Sequence, residues 1–176
     1  MKSTEEVFEI LKGRFGDAIS ELVTGQPAES YFSVSPKEIN KICFYLRDTE
    51  ELLFDNLMNL SGVDDDNGEK KTAEDGSFTT FGGTLSVFYH LESTSLKHKV
   101  TIRVSVPRET PELESVAEVW RCADWHEREA YDLIGFNFLN HPDLRRILMP
   151  YDWEAGHPLR KDYKNPEFYQ GMKVPY

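Results

Sequence analysis

The sequence predicts an α+β domain of two layers, in which helices pack on a mixed, mostly antiparallel sheet of five strands. Two observations support this: the order of patterns along the chain (helix, two strands, helix, three strands, helix) and the strict alternation of apolar and polar residues in two adjacent segments. With 176 residues, 39% of them hydrophobic, the chain can bury one core. We expect one domain over residues 1–140 and an extended interaction segment over residues 141–176.

The first two helices are predicted from their start signals. Ser3 and Glu6 have the spacing of a capping box, and the apolar residues at Val7–Leu11 that follow share a helical face. The second signal is Ser-Pro-Lys-Glu at residues 35–38, with the serine as N-cap and the proline as the first helical residue. Cys43 falls on the apolar stripe of this helix, which indicates a small core residue.

The strands are predicted from apolar runs and from alternation with a period of two. The clearest are the last two, each of which has one apolar face and is joined to the other by a short turn. The polar stretch at residues 64–76 is interpreted as a solvated hairpin connection. The five predicted strands cover residues 18–24, 30–34, 53–63, 83–91 and 99–106.

The segment at residues 115–134 allows two interpretations. As one helix, its apolar stripe contains Glu127, and a buried carboxylate there needs a partner or a proton. If the helix instead begins at Asp124 as N-cap, Glu127 completes a capping box and Gly135 ends the helix. We favour the break because it explains these three residues together. In both cases Arg128 and Asp132 have the spacing of an ion pair along the helix.

The charge of the chain excludes some classes of function. A net charge of −11 argues against a nucleic-acid partner, since phosphates require clustered lysine and arginine. No apolar run is long enough for a membrane span, and we expect neither a signal peptide nor insertion into a membrane. Residues 141–176 differ from the acidic remainder, because they hold six basic and five acidic residues together with five of the nine prolines. Such a segment is expected to be extended and to need a partner surface.

Catalytic and metal sites are poorly supported by residue spacing. Cys43 and Cys122 stand alone, so we expect reduced thiols rather than a zinc or iron–sulfur site. His126 and Glu127 lack the second histidine of a zinc-protease motif, and no serine or cysteine has an adjacent base. The competing hypothesis is a stand-alone metal-dependent enzyme with the ligands His126, Glu129, Asp132 and His141.

The segment from Trp125 to Tyr163 is the candidate functional region, because it interleaves arginine and acidic residues with aromatic residues and prolines. This composition is typical of a protein interface. We expect no catalytic, cofactor-binding or metal residue here. The candidates for intersubunit or structural contacts are Glu127, Arg128, Glu129, Asp132, His141, Arg145, Arg146, His157, Arg160, Lys161 and Asp162.

Three motifs in this region carry a resemblance to a known family. They are E-R-E-A-Y-D-L-I-G at residues 127–135, H-P-D-L-R-R-I-L at residues 141–148 and G-H-P-L-R-K-D-Y at residues 156–163. Together they resemble the signature of the C subunit of the proton-pumping NADH:quinone oxidoreductase, the thirty-kilodalton subunit family of respiratory complex I. The order of the preceding helices and strands is also similar to that of the family domain.

The resemblance implies a non-catalytic subunit of the peripheral arm, on the cytoplasmic side of the cell inner membrane. It also implies that this chain binds no cofactor, with FMN and iron–sulfur clusters held by partner subunits. The implied partners are chiefly the large quinone-site subunit (the D subunit) and neighbouring iron–sulfur subunits. Ferredoxin-dependent and F420H2-dependent relatives and membrane-bound hydrogenases contain an equivalent subunit, and the motifs do not separate them. A binding module of another complex is a further alternative.

Overall fold

Helices and a five-stranded sheet form the two layers of the domain, which confirms the predicted fold class. The structure is a computed structural model that describes residues 1–25, 29–74 and 76–174. The helices are α1 (Thr4–Phe15), α2 (Ile39–Asp48) and α3 (Ala123–Ile134). The strands of the main sheet are β1 (Ile19–Val23), β2 (Tyr31–Val34), β3 (Asn56–Asp64), β6 (Thr84–Glu92) and β7 (Lys99–Pro107). Between β3 and β6 the chain forms β4 (Glu69–Thr72) and β5 (Phe78–Phe81).

The strand order of the main sheet is β1-β2-β7-β6-β3. The pair β2–β7 is parallel and the other pairs are antiparallel. All five predicted strands are present, with bounds that differ from the prediction by at most three residues. Alternation places Tyr89 and Ile102 in the core, whereas their chain neighbours Phe88 and Arg103 lie on the opposite, partly exposed face. One face therefore carries the helices and the other faces solvent.

The start of α1 is as predicted. The Ser3 N–H donates to the Glu6 carboxylate at 2.7 Å, and the Glu6 N–H donates to the Ser3 hydroxyl at 3.3 Å. The predicted start of the second helix is wrong, because residues 36–38 form a turn and the helix begins at Ile39. The Ser35 N–H bonds to the Ala18 carbonyl at 2.8 Å, so Ser35 is fixed at the sheet edge instead of capping α2. Cys43 is fully buried, as predicted.

Three two-stranded pairs complete the described structure. The predicted hairpin connection contains β4, which pairs with β5. The pairs β8 (Glu112–Glu114) with β9 (Asn137–Leu139) and β10 (Phe168–Tyr169) with β11 (Met172–Lys173) were not predicted. The parallel β8–β9 pair flanks α3 in sequence and ties together the two ends of the segment that contains this helix. Within the described ranges, no helix combines the length and apolar character needed to cross a bilayer.

Candidate functional site

The helix α3 begins at Ala123 and ends at Gly135. Its start does not use the predicted capping box: Cys122 is the N-cap position and provides no side-chain hydrogen bond. Its end is as predicted, since Gly135 adopts a φ of 92° and its N–H donates to the carbonyls of Ala130 and Tyr131 at 3.1 and 3.0 Å. The helical break is thus real, although the predicted role of Asp124 as its cap is wrong.

Glu127 is completely buried and connects α3 to the preceding loop. Its carboxylate accepts from the Ser115 hydroxyl at 2.6 Å and from the Val116 N–H at 2.7 Å. Burial raises the pKa of Glu127 from 4.5 to about 7; the Ser115 and Val116 hydrogen bonds oppose this and the nearby Asp124 adds to it. The one-helix interpretation was right about a buried carboxylate, but residues 115–122 form turns and irregular structure rather than helix.

His141 packs against the first turn of α3. Its side chain is buried, and Nε2 lies 3.2 Å from the Asp124 carbonyl oxygen and 3.7 Å from the Glu127 carboxylate. The Asp143 N–H donates to Nδ1 at 3.0 Å, so the proton of a neutral ring is on Nε2. The ring therefore fixes the start of the C-terminal segment to α3.

Asp132 binds the C-terminal segment through its main chain. The buried carboxylate accepts from three consecutive amides, those of residues 147–149, at 3.1, 2.8 and 2.8 Å, and from the Arg146 guanidinium at 2.9 Å. Burial raises the pKa of Asp132, but these four donors together outweigh burial and lower it. The predicted pairing with Arg128 is wrong, because the Arg128 Nε donates to the Arg145 carbonyl at 3.2 Å and its guanidinium lies over the Trp125 ring.

A second carboxylate pair holds the segment around residue 161. The Arg108 guanidinium bridges Asp64 at 2.6 Å and Asp162 at 2.5 Å. The Lys161 N–H donates to Asp64 at 2.9 Å, and Asp162 accepts from the Thr80 N–H at 2.9 Å. Burial raises the pKa of Asp64, but the hydrogen bonds and the charge of Arg108 lower it further than burial raises it. The sequence reasoning missed both Asp64 and Arg108.

The segment also covers the C-terminal end of α3. The Leu159 N–H donates to the Leu133 carbonyl at 2.9 Å, and the Arg160 Nε donates to the Ile134 carbonyl at 2.6 Å. The His157 Nδ1 lies 3.2 Å from the Asp132 carbonyl oxygen, and burial lowers the pKa of this histidine. These carbonyls belong to the last helical turn, which has no partners within the helix. A cationic side chain at this position also complements the helix dipole.

The remaining candidates face outward. Arg145 keeps 71% of its side chain exposed and pairs only with Asp143, at 2.9 Å, within the described residues. Glu129 and Lys161 are exposed as well. The C-terminal segment thus binds the domain with one side and offers charged and aromatic groups on the other. Exposed apolar side chains near these residues in sequence are Trp125, Leu148 and Tyr151, which are 64%, 60% and 93% exposed.

The alternative metal-ligand set is not assembled. Asp132 is occupied by the amides of the C-terminal segment, and His141 faces Asp124 and Glu127. His126 and Glu129 instead line a separate cleft beside β3. In the part of the chain that the structure describes, no three His, Cys, Asp or Glu side chains are grouped to hold a metal ion.

Fold and site together define an α+β domain that binds its own C-terminal segment through buried carboxylates and leaves the outer side of that segment exposed. Known protein families include one that matches most of this chain. The model of the family "respiratory-chain NADH dehydrogenase, 30 Kd subunit" matches residues 32–169. The chain belongs to this family, as the three sequence motifs indicated.

Named relatives agree with this assignment. The C subunit of the NADH-quinone oxidoreductase of Chloroherpeton thalassium is 44% identical over 98% of this chain, which spans 65% of the length of that relative. The same subunit of Chlorobium phaeobacteroides is 40% identical, with 100% of this chain and 98% of the relative covered. A C/D subunit of the NADH-quinone oxidoreductase of Bacteroides fragilis is 38% identical over 76% of this chain, which corresponds to 24% of that protein.

A solved structure shares the fold. Nqo5, in its trypsin-resistant fragment (1–134), superposes with a TM-score of 0.58 and 24% identity. The match covers 80% of this chain and 98% of that fragment. At this identity the likeness concerns the fold alone.

Proposed function

We propose that this chain is a structural subunit of the peripheral arm of a proton-translocating NADH:quinone oxidoreductase. It supports electron transfer from NADH to quinone through FMN and iron–sulfur centres of other subunits and itself binds no cofactor. The observation that carries the proposal is the family match over residues 32–169, joined to the name of the Chlorobium phaeobacteroides relative, of which the chain covers 98%. The proposed location is the cytoplasmic side of the inner membrane.

The proposed main partner is the D subunit, the large quinone-site subunit. The Bacteroides fragilis relative supports this, because its name joins the C and D subunits in one polypeptide. A covalent fusion keeps two folded units close together at all times. The matched region is 24% of that protein, which leaves the remainder for the fused partner.

The geometry supports a division of the candidate residues into two groups. In the inward group, Asp132 and Asp162 keep the C-terminal segment on the domain, and Glu127 fixes the loop before α3 to that helix. Breaking one partner of such a desolvated pair costs about 3 to 5 kcal/mol, whereas an exposed pair contributes under about 1 kcal/mol. The outward group, which includes Arg145 and Glu129, is proposed to contact neighbouring subunits.

Purification of the tagged chain from its native membrane tests the proposal. We expect co-purification with subunits that contain flavin and iron–sulfur clusters, and NADH-driven reduction of quinone by the preparation. Reduction only with F420H2 or ferredoxin would assign the chain to a related complex. Recovery of the chain alone with a stoichiometric transition metal would instead support the metal-dependent enzyme. Partners without flavin or iron–sulfur clusters would indicate a binding module of another assembly.

A further inference from the structure

The strand β3 leaves one edge of the main sheet open. It is the last strand in the order β1-β2-β7-β6-β3 and pairs with β6 on one side only. In residues 1–25, 29–74 and 76–174, the backbone at residues 58–63 has no backbone hydrogen-bond partner besides β6. Such an edge presents a row of N–H and C=O groups that a further strand can bind.

This edge lacks most features that usually block strand addition. The sequence of β3, N-L-M-N-L-S-G-V-D, contains no lysine, arginine or proline, and its bulge lies at the beginning, between Leu57 and Asn59. The opposite outer strand, β1, is different: it carries Glu21 at a φ of 51° and its register shifts between Ser20 and Val23. Of the two outer edges of the main sheet, that of β3 therefore has the more regular backbone.

Residues of α3 and β3 line a cleft of about 150 Å³. Residues 59–62 of β3 line one side of the cleft, and His126, Glu129 and Leu133 of α3 line the other side with Leu159. The helix packs closely on the strand here, because a β-carbon on Gly62 would lie 2.9 Å from the Phe136 ring and 3.3 Å from Ala130. The strand and the helix that line the cleft are thus packed directly against each other.

The charge of the cleft indicates which side chains a bound segment would need. Glu129 is exposed and forms no ion pair with any described residue, and no lysine or arginine lines the cleft. The apolar groups of Leu133 and Leu159 line the same cleft. An extended segment that alternates apolar residues with a lysine or arginine satisfies the open backbone, the apolar wall and the carboxylate together.

We propose that β3 and Glu129 form a docking site for an extended segment of a partner subunit, which adds a strand to the sheet and pairs a basic side chain with Glu129. This inference rests on the proposed function, because it requires that the chain works within a complex. The partner strand would extend the five-stranded sheet continuously into the neighbouring subunit. A second copy of this chain fits less well, since two clefts would bring two unpaired glutamates together.

Site-specific cross-linking in the assembled complex tests the docking site. The photoreactive residue p-benzoylphenylalanine replaces Ser61 of β3 in one variant and Ser20 of the opposite outer strand in a matched variant. We expect Ser61 variants to cross-link to one peptide of a partner subunit that contains lysine or arginine, and Ser20 variants not to capture this peptide. If the chain is present in the complex but the two positions do not differ, the docking site is refuted.

Charge reversal provides a second readout. Glu129→Lys is expected to weaken association with the partner by about tenfold or more, as for a charge left unpaired in an interface. Glu118→Lys reverses another exposed charge outside the cleft and is the control. Both variants should unfold at the same temperature as the parent. Equal association of both variants, or a cross-link from Ser61 to a second copy of this chain, would overturn the docking site. Absence of the chain from any complex would refute the proposed function, and the docking site with it.

Discussion

The imidazole ring of His157 occupies the space beside the α-carbon of Gly135. A β-carbon at Gly135 would lie 2.7 Å from the His157 Cδ2, and the φ of 92° at this glycine is itself unfavourable for other residues. The glycine therefore both ends α3 and makes room for the C-terminal segment. This relationship connects helix termination to the docking of a residue 22 positions later.

Gly135→Ala is expected to destabilise the isolated chain through backbone strain of about 1–3 kcal/mol and through the clash with His157. Gly156→Ala is the control, because Gly156 has a φ of 91° and no heavy atom lies within 4 Å of the position that a methyl group would take there. The difference in free energy of unfolding between the two variants, measured with urea, isolates the clash. Equal destabilisation would show that His157 does not use this space in solution.

Asp132→Asn is expected to lower the free energy of unfolding by about 3–5 kcal/mol, because Arg146 and three amides lose a buried carboxylate. Asp143→Asn removes only an exposed pair with Arg145 and should cost under about 1 kcal/mol. Urea unfolding of both variants provides the measurement. Similar costs would mean that Asp132 does not hold the segment.

Limited trypsin digestion is expected to cut the isolated chain first after Lys164 and Lys173, because the amide of Lys161 and the side chain of Asp162 are held by the domain. Arg108→Ala removes the bridge between Asp64 and Asp162, so cleavage after Arg160 and Lys161 should become several-fold faster.

Arg145→Ala is the control for this digestion, because it removes an arginine without affecting the bridge between Asp64 and Asp162. Mass spectrometry of the fragments provides the measurement. Early cleavage after Arg160 in the parent chain would contradict docking of this part of the segment.

The stability of the isolated chain should depend on pH through Glu127. Its pKa is raised to about 7 by burial, so the folded state binds a proton more tightly than the unfolded state. The contribution of Glu127 is fully favourable below pH 4.5 and is lost as the pH rises through 7. At about 1.4 kcal/mol per pKa unit, the loss is about 3 kcal/mol.

Glu127→Gln should remove the loss of stability that Glu127 causes between pH 4.5 and about 7, since the amide does not ionise. The lowered pKa of His157 has the opposite effect, a loss of stability as the pH falls below 6.5, and it remains in both proteins. Urea unfolding at several pH values compares the variant with the parent chain. The carboxylates of Asp64 and Asp132 do not interfere, because their pKa values are lowered and their effects fall at acid pH. A parallel pH dependence in parent and variant would assign the effect to other groups.

Arg145→Ala is expected to lower the amount of assembled complex more than the turnover of each assembled complex, since this arginine faces outward. Arg146→Ala, at the adjacent position, should instead destabilise the isolated chain through the loss of its pair with Asp132. Quantitative blotting of the complex and NADH:quinone assays separate the two effects. Normal assembly with lost turnover in Arg145→Ala would refute the contact role.

The main sheet and α1 were predictable because their signals are local. The alternation in β6 and β7 follows directly from one buried face, and the capping box joins Ser3 to Glu6 within one helical turn. The start of α2 was predicted too early, because the tertiary bond from the Ser35 N–H to Ala18 competes with capping. The local signal for a helix start at Ser35 was therefore overridden by a tertiary hydrogen bond at the edge of the sheet.

The site was only partly predictable because its partners are far apart in sequence. Arg108 and Asp64 are 44 residues apart, and Asp64 and Lys161 are 97 residues apart. Spacing arguments therefore identified Asp132 but paired it with Arg128, one helical turn away, rather than with Arg146.

Glu127 was similarly assigned to a local cap, although its partners are Ser115 and Val116. These partners precede the helix in an irregular stretch, which no helical spacing rule connects to position 127. A charged residue at the end of an apolar strand, as at Asp64, is the signal that could have revealed the second carboxylate.

The carboxylates of Asp132 and Asp64 bind the C-terminal segment by its main-chain amides at residues 147–149 and 161. Every residue except proline supplies the same N–H group, so this attachment places little demand on side-chain identity at these positions. Evolution can therefore vary the outward side chains to suit a changing neighbour without releasing the segment. A proline at one of these positions, or the loss of either aspartate, would release the main chain of the segment there.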